Sequence, residues 1–158
     1  MKIIFVCTGN TCRSSMAGAI AKRLLEDRPG CQKDIVFASA GVAAIAGEPA
    51  SPEAVTALAE MGIDLDRHRA VLLTPEAVGQ ADLVLTMTTA HQRHVQMLAP
   101  AQAEKVFTLA GYAGAVGDIA DPIGQPLEAY RNCARRLVDL IGKAVDRLEE
   151  ASPSSGGT

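Results

Sequence analysis

One stretch constrains this chain more than any other. The apolar run Ile3-Ile4-Phe5-Val6 passes through Cys7-Thr8-Gly9-Asn10-Thr11-Cys12-Arg13 straight into a helical pattern that begins at Ser14. An apolar run without alternation reads as a strand covered on both faces. Thr8, Gly9 and Asn10 favour a tight loop, and glycine and asparagine are the types that tolerate the positive φ needed to turn backbone amides inward. A loop leaving a strand and entering a helix gathers its N–H groups into a concavity at the positive end of the helix dipole, where an anion binds. Such a setting favours the thiolate of a cysteine at the rim. Arg13, on the far side, can grip a phosphate through two parallel hydrogen bonds. The segment lacks the Gly-Lys-Ser/Thr ending of a nucleotide-binding loop. It reads as a nucleophile built to take a phosphoryl group.

The remaining segments extend the same architecture. Ile35-Val36-Phe37-Ala38, ending at Ser39-Ala40-Gly41, Leu83-Val84-Leu85-Thr86-Met87 and Val106-Phe107-Thr108-Leu109 read as further strands, each expected to be buried on both faces. The fourth is followed by a glycine-rich loop. Helices are expected from Ser14 to about Asp27, with Ala17, Ile20 or Ala21, and Leu24 on one stripe, after Ser51-Pro52, after Thr74-Pro75, and through His91 to Leu98. A last helix carries Leu127, Tyr130, Ala134, Leu137, Ile141, Ala144 and Leu148 at spacings of three and four. Strands alternating with helices predict an α/β fold, a three-layer α/β/α sandwich around a doubly wound parallel four-stranded sheet. One domain over residues 1–150 is expected, with residues 151–158 a disordered tail. Ligands in such folds sit beyond the carboxyl ends of the strands, where residues 7–13 fall.

Composition narrows the function classes. A net charge of −3 in 158 residues gives no field suited to nucleic acid or an anionic membrane. No run approaches the roughly 20 apolar residues of a membrane span. The N-terminal run is shorter than the about 7–15 residues of a signal-peptide core. A cytoplasmic protein, monomeric by default and without metal or cofactor, is the expectation. Cys7 and Cys12 lack a second pair with zinc-ligand spacing. His91 and His94, three apart, are expected on a solvated helix face, Cys31 in a loop, and Cys133 and Tyr130 in helix packing.

Cys7 through Ser14 resembles the signature loop of the low-molecular-weight protein tyrosine phosphatase family. Asp121-Pro122, before the last helix, resembles the pair that supplies the family's general acid. Ser39-Ala40-Gly41, His68-Arg69-Ala70 and Ala81-Asp82-Leu83-Val84-Leu85 are smaller matches, and the resemblance spans roughly residues 2–150. It implies phosphorylated protein substrates and a phosphocysteine intermediate on Cys7. Arg13 and the loop Thr8, Gly9, Asn10, Thr11, Cys12 and Ser14 would bind phosphate, and Asp121 would protonate the leaving group. It also implies that Ser39 and His68 hold Asn10 in its backbone conformation. Asp118 lacks the following proline and is set aside as the acid. Ser15 stands where the family usually has proline.

Thr11 and Ile123 bear on substrate choice. Tyrosine phosphatases of the family usually carry an aliphatic residue at the first and aromatics after the Asp-Pro pair, whereas threonine resembles the protein-arginine-phosphatase branch. Phosphoarginine brings N–H donors that a hydroxyl can accept, and one buried unmet donor costs about 1–3 kcal/mol. Phosphoarginine is therefore the favoured substrate and phosphotyrosine the alternative. A thiol-dependent arsenate reductase would need further cysteines, which residues 82–100 lack, and a silent phosphoprotein-binding module would not need the full set. Cys12 is a candidate redox partner able to form a protective disulfide with Cys7.

Overall fold

The computed structural model describes residues 1–28, 30 and 34–151. Cys31 and the expected tail beyond residue 151 lie outside the described residues. Four parallel strands, β1 (Lys2–Cys7), β2 (Val36–Gly41), β3 (Leu83–Thr86) and β4 (Val106–Thr108), form one sheet in the order β2-β1-β3-β4. Among the described residues six α-helices accompany it: α1 (Arg13–Glu26), α2 (Pro52–Ala59), α3 (Pro75–Gln80), α4 (Thr89–Leu98), α5 (Leu109–Tyr112) and α6 (Leu127–Ala151).

Side-chain alternation along β1 builds the layers. Ile3, Phe5 and Cys7 enter a core shared with Met16, Ala17 and Ile20 of α1, Leu58 of α2, Leu109 of α5 and Leu137 and Ile141 of α6. Ile4 and Val6 enter a smaller core on the opposite face with Val78 of α3 and Val95 of α4. Leu83 and Leu85 of β3 join the first core and Val84 the second. A strand that feeds two cores has no polar face, which is why its sequence is apolar throughout. The result is the three-layer sandwich.

The two edge strands differ from expectation. Val36 in β2 is 58 % exposed, and Phe107 and Thr108 in β4 are half-buried. Each edge strand is flanked by one neighbour only, so its cover is incomplete. On α1 the core position falls to Leu25, with Leu24 half-buried. The glycine-rich loop after β4 starts with α5, because the Thr108 hydroxyl accepts the Gly111 N–H at 3.0 Å and starts a turn of helix. A 3₁₀ helix, Pro100–Lys105, precedes β4.

The strand order places the site. β1 has β2 on one side and β3 on the other, so the connections leaving β1 and β3 diverge at their carboxyl ends and open a crevice there. Cys7 ends β1 at that crevice.

Leu137 is fully buried between α6 and α1 in the larger core. Leu137→Ala is expected to lower stability by about 3 kcal/mol, read as a lower urea midpoint at unchanged slope.

Candidate active site

The loop from Cys7 to Arg13 is held by its neighbours as well as by its own bonds. Gly41, at the end of β2, backs directly onto it. A Cβ there would lie 2.4 Å from the Thr8 carbonyl oxygen and 2.9 Å from the Asn10 nitrogen, so only glycine allows the approach. Asn10 is fully buried and takes φ 58°, the one described non-glycine residue with positive φ. Its side chain makes that conformation tenable. The Val71 N–H donates to Asn10 Oδ1 at 2.9 Å, which fixes the amide orientation and turns Nδ2 toward Ser14 Oγ at 2.8 Å. With that donor already received, the Ser14 hydroxyl has two neighbours for its own proton, Cys7 Sγ at 2.9 Å and the Ala40 carbonyl at 3.3 Å. The Asn10 N–H also points at Cys7 Sγ, at 3.3 Å.

Two histidines brace the loop. His68 Nε2 lies 2.6 Å from the Asn10 carbonyl oxygen; a carbonyl only accepts, so Nε2 carries the proton. Burial, with Arg69 and Lys22 adding to it, pushes the His68 imidazole below its ordinary range. His91, expected on a solvated face, is instead buried, 7 % exposed, where the first turn of α4 meets the sheet. Its Nε2 shares a 2.8 Å hydrogen bond with the Thr8 hydroxyl, and its Nδ1 has no partner. Burial first, then the Arg13 charge, lowers it from 6.5 to about 4. His91 is therefore neutral near pH 7. Periodicity missed it because a helix turn facing a loop carries no apolar stripe. Ser39 makes no hydrogen bond to Asn10 or His68 among the described residues; it stands on β2 against Gly18 of α1. The Val71 backbone holds the Asn10 side chain where sequence reasoning placed a serine.

Arg13 opens α1 and is 5 % exposed. Its Nη1 donates to the Ile119 carbonyl at 3.0 Å, and its Nη2 lies 3.3 Å from Asp121 Oδ2. Asp121 and Arg13, 108 positions apart in the chain, thus meet at one site. The Ile123 N–H donates to Asp121 Oδ1 at 3.0 Å, and the Ile123 side chain is 62 % exposed. Thr11 is half-buried, and among the described residues its hydroxyl has only a long 3.8 Å contact from Oγ1 to Cys12 Sγ.

Behind the loop, Ser51 occupies the N-cap position of α2 without capping it. Its N–H and hydroxyl both donate to the Thr11 carbonyl, at 2.9 and 3.4 Å, and its oxygen lies 3.3 Å from Cys12 Sγ. Tyr130, a core residue as expected, also brings its hydroxyl 3.8 Å from Cys12 Sγ. Burial raises the Tyr130 phenol to about 12 and the Cys133 thiol likewise to about 12. Cys7 and Cys12 are both free thiols here. Among the described residues, no group of three His, Cys, Asp or Glu side chains is placed to hold a metal ion, and no helix is long and apolar enough to cross a membrane.

A thiol with the Asn10 N–H and the Ser14 Oγ against it, and a buried guanidinium paired to a carboxylate, give the arrangement expected of a cysteine-dependent phosphatase on an α/β sandwich. The sequence profile of the low molecular weight phosphotyrosine protein phosphatase family matches residues 2–153, and the chain belongs to that family. It is 42 % identical over 151 residues to a protein-arginine-phosphatase of Geobacillus stearothermophilus, covering 94 % of this chain and 96 % of the relative. The fold superposes at a TM-score of 0.89 and 40 % identity on a C7S variant of the YwlE arginine phosphatase with a phosphorylated active-site serine, covering 95 % and 97 % of the two chains. A low-molecular-weight protein tyrosine phosphatase from T. tengcongensis superposes at 0.86 with 44 % identity, covering 96 % and 99 %.

The depressed His91 sets a pH dependence of stability. Between about pH 4 and 6.5 the unfolded chain binds a proton there that the folded chain refuses, so this contribution is present above 6.5 and is lost as the pH falls toward 4. From pH 7 to 4.5 the wild type is expected to lose about 2 kcal/mol more than His91→Gln, measured from urea midpoints across the range.

Proposed function

We propose that this chain hydrolyses phosphorylated protein side chains through a phosphocysteine on Cys7, with phosphoarginine the favoured substrate. The observation that carries this reading is the Arg13–Asp121 pair at 3.3 Å, joined to the Cys7 loop through Ser14, which follows Arg13 and brings its Oγ 2.9 Å from the Cys7 sulfur. The Cys7 thiolate attacks phosphorus in line, forming an S–P bond as the bond from phosphorus to the leaving oxygen or nitrogen breaks. Asp121 gives its proton to that leaving atom. The resulting carboxylate then takes a proton from water, whose oxygen attacks phosphorus and releases phosphate and the thiolate. Arg13 and the loop amides hold the equatorial oxygens through both steps. The Ser14 hydroxyl stabilises the thiolate as it leaves.

One observation supports phosphoarginine. Among the described residues Thr11 Oγ1 is nearly uncommitted, with its one polar contact at 3.8 Å, so it is available to accept a guanidinium N–H. Ile123, two residues past the acid, departs from the aromatic residue usual in both branches and favours neither substrate. The named activity of the Geobacillus relative agrees with this choice, while the T. tengcongensis neighbour keeps phosphotyrosine as the reading to test against.

Three variants test the proposal. Cys7→Ser is expected to cut hydrolysis of an aryl phosphate by at least about a thousandfold; undiminished turnover removes the nucleophile. Asp121→Ala is expected to cost about a hundredfold or more on esters with poor leaving groups and far less on activated ones. Thr11→Ile is expected to shift the ratio of kcat/KM for phosphoarginine over phosphotyrosine peptides by about ten- to a hundredfold toward phosphotyrosine. An unchanged ratio defeats the selectivity argument.

A further inference from the structure

The segment that carries Asp121 has no helix or strand of its own between α5 and α6, and three of its glycines, Gly114, Gly117 and Gly124, take positive φ. Val116 and Ile123 within it are exposed. An untethered segment of this kind would spread Asp121 over many positions, and an acid displaced by an ångström loses much of its effect. Arg13 pairs with Asp121 itself at 3.3 Å, Arg136 Nη2 donates to the Val116 carbonyl at 3.3 Å and the Ala115 N–H to the Ala110 carbonyl at 2.8 Å, and three more hydrogen bonds tether the stretch just before the acid. The Ile119 N–H donates to the Met87 carbonyl at 3.0 Å, Arg13 Nη1 donates to the Ile119 carbonyl at 3.0 Å, and the Thr89 N–H donates to Asp118 Oδ1 at 2.9 Å.

Of these three hydrogen bonds only the third uses a side chain of the segment, which leaves Asp118 and Asp121 itself, among the described residues, as the segment side chains bonded to the fold around it. Thr89 is the first residue of α4, so its N–H is one of the amides that the helix cannot satisfy internally. The first turn of α4 has no acidic residue of its own; Asp118 brings one from outside, where a carboxylate also meets the positive end of the dipole. The same turn holds the nucleophile's loop through His91 and the Thr8 hydroxyl. One rigid helix end is therefore bonded to both the loop of Cys7 and the segment of Asp121.

We propose that Asp118 is a positioning residue for the reaction: latched to the first turn of α4, it sets where Asp121 stands relative to Cys7. This rests on Asp121 being the general acid. Asp118 touches no reacting atom, and its effect is confined to the step in which the leaving group takes a proton.

The test compares kcat/KM for unactivated phenyl phosphate and activated nitrophenyl phosphate in the full-length protein. Asp118→Ala is expected to lower the first about tenfold and the second by less than about threefold. Asp118→Asn, whose amide oxygen still accepts the Thr89 N–H, is expected to recover most of the loss. In an Asp121→Ala background, adding Asp118→Ala is expected to change neither rate further. Equal losses on the two esters, or a full additional loss in the double variant, overturn the latch. If Asp121→Ala discriminates between the esters and Asp118→Ala does not, the latch alone falls. If Asp121→Ala itself fails to discriminate, the acid assignment falls and the latch with it.

Discussion

The site depends on one strained residue. A left-handed conformation costs most L-residues about 1–2 kcal/mol and asparagine less, and Asn10 adopts it at φ 58° in the middle of the phosphate loop. Its side chain and carbonyl recover that cost through Val71, Ser14 and His68. The turn aims the Asn10 N–H at the Cys7 sulfur and sets Ser14, whose hydroxyl faces both that sulfur and the Ala40 carbonyl. An alanine at this position would lose both the tolerance for positive φ and the amide that orients Ser14.

Outside this residue, the loop is fixed by elements that meet it from three directions. Gly41 lets β2 come within backbone contact, Ser51 holds the Thr11 carbonyl from α2, and His91 holds Thr8 from α4. Each is a departure from what its position would do in isolation. Ser51 forgoes its capping bond, His91 sits neutral and buried with one nitrogen unmet, and Gly41 carries no side chain. Such departures are expected where a fold gives up local stability to hold a reactive geometry.

The sheet, its four strands and the long helices were legible in the sequence because apolar runs and three-four spacings report burial directly. The loop was legible because Cys7, Gly9, Asn10 and Arg13 each have few alternative uses at such spacing. What periodicity could not show was contact between segments distant in the chain. Ser39 was expected to hold Asn10, yet the partner is the backbone N–H of Val71, which leaves no mark on residue type. His91 was read as solvated because its neighbours Gln92, Arg93 and His94 are polar; its burial comes from the loop packed on the helix end. The strand edges were read as covered because an apolar run does not say how many neighbours a strand has.

The central claim is that phosphoryl transfer passes through sulfur. Asp121→Ala slows the water attack that clears the intermediate, so acid-quenching this variant during turnover of an activated aryl phosphate should trap it. Mass analysis of the quenched protein should show one added phosphoryl group per chain, and peptide mapping should place it on Cys7. The same quench should find none in Cys7→Ser on a thiol. Full turnover with no phosphorylated protein at any quench time, or a label on a residue other than Cys7, would contradict the account.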